Sequence, residues 1–211
     1  MPEYDADYYL NGPATGKSNY TDYSWKPDLT LPMADWLKRC LRIKDNDTLL
    51  DVGCARGYLV KALRMRGVLA SGYDTSEWAI NNADPEIRPY VSTCLNAQPM
   101  GWDFITAKDV FEHIPLDELK PLVKKLVHAT RKSLLAIVPL TWHIGGPFLR
   151  DEDNADPSHV IAWPLEKWMD LFRSGVSLTE GYITGAWHYP GIKPPSGMVD
   201  KSCGFIQFTR V

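Results

Sequence analysis

The chain has 211 residues, of which 45% are hydrophobic and 23% charged, which is the composition of a globular protein of one domain. Its formal net charge of -3, with only local basic clusters at helical spacing, argues against duplex nucleic acid as a partner. No apolar run is long enough to cross a bilayer, the start does not resemble a secretory signal, and the four cysteines are scattered, so we expect a cytoplasmic protein with free thiols and no membrane partner.

The first thirty residues are rich in aromatic side chains and turn signals. Asn11-Gly12-Pro13 predicts a turn, and the rest of the segment has no helical or strand periodicity, so we expect an irregular arm. Two interpretations remain open: the arm is a lid over a binding site, or it is a packed cover. The lid interpretation depends on four tyrosines: Tyr8, Tyr9, Tyr20 and Tyr23.

From residue 31 to residue 140, apolar strands alternate with amphipathic helices. The predicted helices are 31–43, 58–66, 76–82 and 116–130. The predicted strands are 48–52, 69–73, 89–93, 104–107 and 133–138. This alternation is typical of βαβ units, and it predicts an α/β fold with a Rossmann-like, doubly wound, mostly parallel sheet.

After Pro139 the sequence becomes rich in glycine, proline and aromatic residues. We predict a helix at 165–173 and a closing antiparallel pair of strands at 177–186 and 204–211. The chain is therefore expected to form one domain, residues 1–211. Its parts are an N-terminal arm (1–30), a ligand-binding core (31–140), and a substrate-side segment with the closing strands (141–211).

A glycine-containing turn follows the first predicted strand, with the sequence Asp51-Val52-Gly53-Cys54-Ala55-Arg56-Gly57. Open α/β sheets bind their ligands at the carboxyl ends of the strands. Gly53 and Gly57 allow a close backbone approach to a ligand, and Asp51 adds a carboxylate. Asp74 ends the second predicted strand, where doubly wound folds place a carboxylate that accepts from ribose hydroxyls.

The pattern of this turn argues against a pyrophosphate ligand. The glycine spacing differs from the G-x-G-x-x-G of dinucleotide-binding folds, and no G-K-[ST] of a P-loop follows the first strand. A carboxylate at Asp51 repels pyrophosphate, and it suits a ligand that carries cationic groups. The sequence therefore predicts a nucleoside ligand with positive charge.

The turn resembles motif I of the class I S-adenosylmethionine-dependent methyltransferases, in which an acidic and an apolar residue precede G-x-G-x-G. The resemblance continues in order through Gly72-Tyr73-Asp74, Asn96-Ala97 and the segment Trp102–Pro115, and it covers roughly residues 48–140. Ala55 replaces the middle glycine of the family motif, and Asn96 replaces the usual aspartate near the adenine.

This resemblance implies that the protein binds S-adenosyl-L-methionine and is an enzyme. The cofactor contacts that it implies are Asp51, Gly53, Cys54, Ala55, Gly57, Asp74, Thr75, Asn96, Ala97, Lys108 and Asp109.

The segment from Asp156 to Trp168 is similar to methyltransferases of glycan and secondary-metabolite pathways, which implies O-methylation of a small-molecule or glycan acceptor. Two alternatives remain open. One is an N-methyltransferase or nucleotide-modifying enzyme, and the other is a non-catalytic module that only binds the cofactor.

A hydroxyl acceptor requires a base, and histidine is the natural choice near neutral pH. His159 is the main candidate, with Asp156 expected to orient it, and His113 is its rival. Asp109, Glu112 and His113 also form a D-x-x-E-H group, which resembles the cation-binding group of some ubiquinone-pathway O-methyltransferases. Cofactor packing and helix capping explain the same residues, so no metal is predicted.

Overall fold

A computed structural model describes residues 3–95, 101–176, 180–186 and 202–211. Its sheet has seven strands in the order β3-β2-β1-β4-β5-β7-β6. The strands are β1 (Thr48–Val52), β2 (Leu69–Tyr73), β3 (Val91–Ser92), β4 (Trp102–Lys108), β5 (Thr130–Pro139), β6 (Gly181–Ala186) and β7 (Cys203–Arg210). The first five are parallel, and β7 is antiparallel to both β5 and β6. The predicted fold class is confirmed, including the closing antiparallel pair.

Eight α-helices lie in the described part of the chain: α1 (Ala6–Leu10), α2 (Gly12–Thr15), α3 (Pro27–Cys40), α4 (Tyr58–Arg64), α5 (Glu77–Asn81), α6 (Leu116–Ala129), α7 (Asp151–Asn154) and α8 (Leu165–Arg173). None of them combines the length and the apolarity needed to cross a membrane.

The sheet is covered on both faces, because successive residues of each strand alternate between two apolar clusters. Leu50, Ile105 and Ala136 pack with α6 and α8 on one face. Their neighbours Leu49 and Phe104 pack with α3 and α4 on the other. Burial on both faces explains why the strands read as continuous apolar runs rather than as alternating patterns.

The arm is where the sequence prediction was wrong. Residues 1–30 contain α1, α2 and the first turn of α3, which begins at Pro27 rather than at residue 31. Asp5 caps the N-terminus of α1, and its carboxylate accepts from the backbone N–H of Tyr8 at 3.1 Å. The sequence analysis missed Asp5 as a helix cap, because the residues that follow it are mostly aromatic and show no helical periodicity. The predicted third strand, 89–93, is shorter than expected: its first two residues belong to a 3₁₀ turn (Arg88–Tyr90), and two others, Val91 and Ser92, pair with β2.

The topology fixes the position of the site. The chain passes from β1 outward to β2 and β3, and then returns to place β4 on the other side of β1. The connections at the carboxyl ends of β1 and β4 therefore diverge to opposite sides, and this opens a crevice where such folds bind ligands.

Candidate active site

A cavity of about 830 Å³ lies at this switch point. Its wall is formed by the carboxyl ends of β1, β2 and β4, by α3, by the start of α6 and by the arm. The volume is at the upper end of the range for small-molecule sites, so there is room for a nucleoside ligand and a second molecule.

The turn after β1 gives the cavity a backbone wall. Gly53 has a φ of +74°, and a Cβ atom there would lie 2.2 Å from the Val110 side chain. Only glycine fits this position without displacing the loop after β4. Gly57 also has a positive φ, of +75°, but it precedes α4 and packs against Ile87 and Val91 rather than lining the cavity.

Asp74 holds this turn against the end of β2. Its two carboxylate oxygens accept from the backbone N–H of Ala55 at 2.7 Å and from that of Ser76 at 2.8 Å. The first bond fixes Ala55, whose φ of +47° lies in the left-handed region. Burial raises the pKa of Asp74, and the backbone bonds oppose that rise. The carboxylate retains further lone pairs for a ligand.

Asp51 lies beside Asp74 in the cavity wall and accepts from the Thr106 hydroxyl at 3.1 Å. Complete burial raises the pKa of Asp51 to about 7, and the nearby charge of Asp74 adds to this effect. Two buried carboxylates in one wall favour the binding of a positively charged group. Lys108 pairs with the adjacent Asp109 at the end of β4, and both line the cavity.

The arm covers the cavity through stacked aromatic rings. Tyr9 stacks on Trp78 with ring centroids 5.2 Å apart, and Tyr23 stacks on Tyr58 at 5.5 Å. The backbone of the arm is also held: Ser76 donates to the Tyr4 carbonyl at 2.5 Å, and Arg56 donates to the Tyr23 carbonyl at 3.2 Å.

The two candidate bases lie together, but only His113 lines the cavity. The ring centroids of His113 and His159 are 4.7 Å apart. His159 packs against Phe148 and hydrogen-bonds the Asp153 carbonyl through Nδ1 at 2.8 Å. Burial lowers the pKa of His113 to about 4, and the neighbouring His159 adds to this effect.

The expectation that Asp156 orients His159 was wrong. The Asp156 carboxylate accepts from the backbone N–H of Ser158 at 2.9 Å and from its hydroxyl at 2.5 Å. The Ser158 hydroxyl in turn contacts Nδ1 of His113 at 2.9 Å. The Asp156 carboxylate therefore supports the rival histidine, His113, through the Ser158 hydroxyl.

Glu112 is fully buried behind His113, and its carboxyl oxygens have no hydrogen-bond partner among the described residues. Burial and the charge of Asp109 raise its pKa well above the ordinary value. Glu112, His113 and His159 each bring one potential ligand atom to within 4.8 Å of the others. The residues whose potential ligand atoms meet therefore differ from the D-x-x-E-H group of the sequence, because His159 stands in the place of Asp109.

Nine of the predicted site residues line the cavity: Asp51, Gly53, Cys54, Ala55, Asp74, Thr75, Lys108, Asp109 and His113. Asn96 and Ala97 lie outside the described residues. The sequence missed Ser158, which the turn signal Asp-Pro-Ser marks. The sequence analysis also missed cavity-lining residues on α3 and α6, because their helical spacing is that of ordinary core residues. These are Met33, Trp36 and Leu122.

A family model described as a methyltransferase domain matches residues 26–133, just over half of the chain. The chain belongs to this methyltransferase family. The match begins at α3 and ends within β5, so it contains the whole glycine turn and both buried aspartates. The resemblance seen in the sequence, to S-adenosylmethionine-dependent methyltransferases, is confirmed.

Individual relatives agree with this assignment. A ubiquinone biosynthesis O-methyltransferase of Leptothrix cholodnii is 27% identical, over 65% of this chain and 70% of the relative. A methyltransferase of Archaeoglobus fulgidus has a similar structure, with a TM-score of 0.63 at 14% identity, covering 86% and 94% of the two chains. So does the magnesium protoporphyrin IX methyltransferase of Synechocystis PCC 6803, solved with bound S-adenosylmethionine (TM-score 0.58, 16% identity, 87% and 79% covered).

The wall of this methyltransferase fits the cofactor of its family. Gly53 lines the wall with backbone alone, and Asp51 and Asp74 offer carboxylates to a ligand with cationic and hydroxyl groups. The enzyme is therefore S-adenosylmethionine-dependent, as the sequence predicted.

Proposed function

We propose that this methyltransferase transfers a methyl group to a hydroxyl oxygen of a small molecule. The observation that supports this most is the presence of His113 in the wall of the cavity that contains Asp51 and Asp74. An oxygen acceptor needs a base, and a neutral imidazole beside the cofactor wall can act as one. The name of the Leptothrix relative, an O-methyltransferase, points the same way.

The assigned roles follow from the wall. Asp74 binds the ribose hydroxyls, and Asp51 attracts the cationic part of the cofactor, whose sulfonium supplies an activated methyl group. Burial lowers the pKa of His113 to about 4, which keeps the ring neutral near pH 7 but weakens it as a base, so the imidazolium has to be stabilised as the proton of the acceptor arrives. Cys54, Thr75 and Lys108 complete the cofactor wall. Alignment and exclusion of water then account for most of the catalysis.

We further propose that the chain works as one domain. The arm (1–30) acts as the lid, the core (31–140) binds the cofactor, and the remainder (141–211) contributes the acceptor side. The arm tyrosines that line the cavity support the lid, because their rings exclude water from it. Four free cysteines fit a cytoplasmic location.

An acceptor screen tests the proposal. The enzyme is incubated with S-adenosylmethionine and catechol, phenolic acids, sugar nucleotides, primary amines and adenine nucleotides, and mass spectrometry follows the gain of one methyl group. We expect a hydroxyl compound to be methylated. Methylation of amines or nucleotides alone would instead support the alternative class, and cofactor binding without any product would favour a non-catalytic module.

The buried carboxyl of Asp51 predicts that cofactor binding depends on pH. In the free protein its pKa is raised to about 7, so the group is largely protonated at pH 6. A cationic ligand stabilises the ionised form, and binding therefore releases a proton below about pH 7. We expect S-adenosylmethionine affinity to rise by up to about tenfold per pH unit between roughly pH 5.5 and 7, and then to level off.

Calorimetry in two buffers of different ionisation enthalpy measures this proton release directly. Asp51→Asn is the control, because it keeps the size of the side chain and the acceptor oxygen for Thr106 but cannot titrate. An affinity of the unmodified enzyme that stays constant with pH would show that Asp51 does not face the cationic part of the cofactor.

A further inference from the structure

Ser158 is a buried serine between Asp156 and His113, and its side chain is only 4% exposed. Its hydroxyl lies 2.5 Å from Oδ1 of Asp156 and 2.9 Å from Nδ1 of His113. One hydroxyl thus joins a carboxylate and the candidate base.

The chemistry of these groups fixes the direction of every bond. A carboxylate can only accept, so the single hydroxyl hydrogen of Ser158 points to Asp156. A lone pair of the hydroxyl is then left to accept from Nδ1–H of His113.

A second contact independently indicates that Nδ1 of His113 carries a hydrogen. The backbone carbonyl of Ser158 lies 3.3 Å from Nδ1 of His113, and a carbonyl oxygen cannot donate. Both neighbours therefore require a hydrogen on Nδ1. In a neutral imidazole the other nitrogen, Nε2, is then unprotonated.

We propose that Asp156 and Ser158 are positioning residues that hold His113 with its proton on Nδ1, so that Nε2 is the atom that takes the proton of the acceptor. This rests on the proposed function, in which His113 is the base. Neither residue touches the reacting atoms in this scheme. The proton of the acceptor forms its new bond to Nε2, the Nδ1–H remains in place, and the resulting imidazolium is stabilised through Ser158 by the carboxylate of Asp156.

Long-range ¹H–¹⁵N correlation NMR of protein labelled with ¹⁵N at histidine distinguishes the two tautomers, and it needs no acceptor. His113→Gln assigns the signals. In the unmodified enzyme near pH 7 we expect His113 to carry its proton on Nδ1. A ring protonated on Nε2 would overturn the proposal, and so would a doubly protonated ring.

The matched variants are Ser158→Ala, which removes the hydroxyl, and Ser158→Thr, which keeps one. Ser133→Ala is the control, because Ser133 is equally buried but bonds β7 through the Phe208 carbonyl, away from the cavity wall. We expect Ser158→Ala to raise the population of the Nε2–H tautomer, with the backbone carbonyl of residue 158 still favouring part of the Nδ1–H form, and Ser158→Thr to restore the original spectrum. A His113 spectrum that is unchanged in Ser158→Ala would refute the role of the hydroxyl.

Kinetics with catechol as the probe acceptor separate positioning from packing. Ser158→Ala should lower kcat by between roughly 10-fold and 10⁴-fold, with little change in cofactor affinity or acceptor KM. An unchanged kcat would count against the proposal. Absence of turnover of every hydroxyl compound in the acceptor screen, with the unmodified enzyme as well, would count against the proposed function alone, because the tautomer measurement is independent of turnover.

Discussion

Asp74→Ala is expected to weaken S-adenosylmethionine binding by roughly 10- to 150-fold. A carboxylate that accepts from ribose hydroxyls contributes charge-assisted hydrogen bonds of about 1.5–3 kcal/mol. The variant should also be less stable, because the backbone N–H groups of Ala55 and Ser76 lose their acceptor. From the sequence alone we would expect little effect on folding, but the two backbone bonds predict a loss of about 1–3 kcal/mol in the free energy of unfolding.

Calorimetry at a temperature well below the unfolding transition, together with urea denaturation, separates the two effects. Asp103→Ala is the matched control. Asp103 accepts from the backbone N–H and the hydroxyl of Thr48, both at 3.0 Å, and it lies at the opposite end of the sheet. The Asp103→Ala variant should lower the free energy of unfolding and leave the affinity for S-adenosylmethionine unchanged. If Asp74→Ala binds the cofactor normally once it is folded, Asp74 serves only to hold the turn.

The fold could be predicted because the strands of a sheet that is buried on both faces are continuous apolar runs, which alternate with amphipathic helices. Helix α8 was predicted with its observed bounds of Leu165 and Arg173. The arm could not be predicted in the same way. Helices α1 and α2 have five and four residues, too few for periodicity to show, and they depend on tertiary contacts such as the stacking of Tyr9 on Trp78.

The cofactor side of the site could be predicted for a similar reason. Asp51, Gly53 and Asp74 are fixed by the ends of two neighbouring strands, so position in the sequence determines position in space. The acceptor side depends on how a long loop folds back after β5. Asp156 is three residues from His159, yet the turn at Pro157 directs its carboxylate to Ser158 and so to His113. Proximity along the chain suggested the wrong histidine as its partner.

His113→Gln is expected to lower turnover by roughly 10²- to 10⁴-fold, the usual loss when a general base is removed. Glutamine is close to histidine in size and its amide can still donate to Ser158, so the cavity wall should be preserved. Cofactor affinity should therefore change little, and the loss should appear in kcat at saturating cofactor and acceptor. Single-turnover kinetics with the hydroxyl acceptor found in the screen, together with calorimetry for the cofactor, measure the two quantities separately.

His159→Gln tests the rival assignment, and His128→Gln, at an exposed position on α6, is the control for loss of any histidine. If His113 is the base, His159→Gln should retain most of the activity, since its ring lies behind His113 and its Nδ1 is engaged by Asp153. A large loss in His159→Gln with normal turnover in His113→Gln would return the role to His159. Near-normal turnover in both variants would point to an acceptor that needs no base.

A chelator tests a different role for the same residues. Turnover that a chelator abolishes and Mg²⁺ restores would assign Glu112 and the two histidines to a cation site, because their ligand atoms already lie within 4.8 Å of one another.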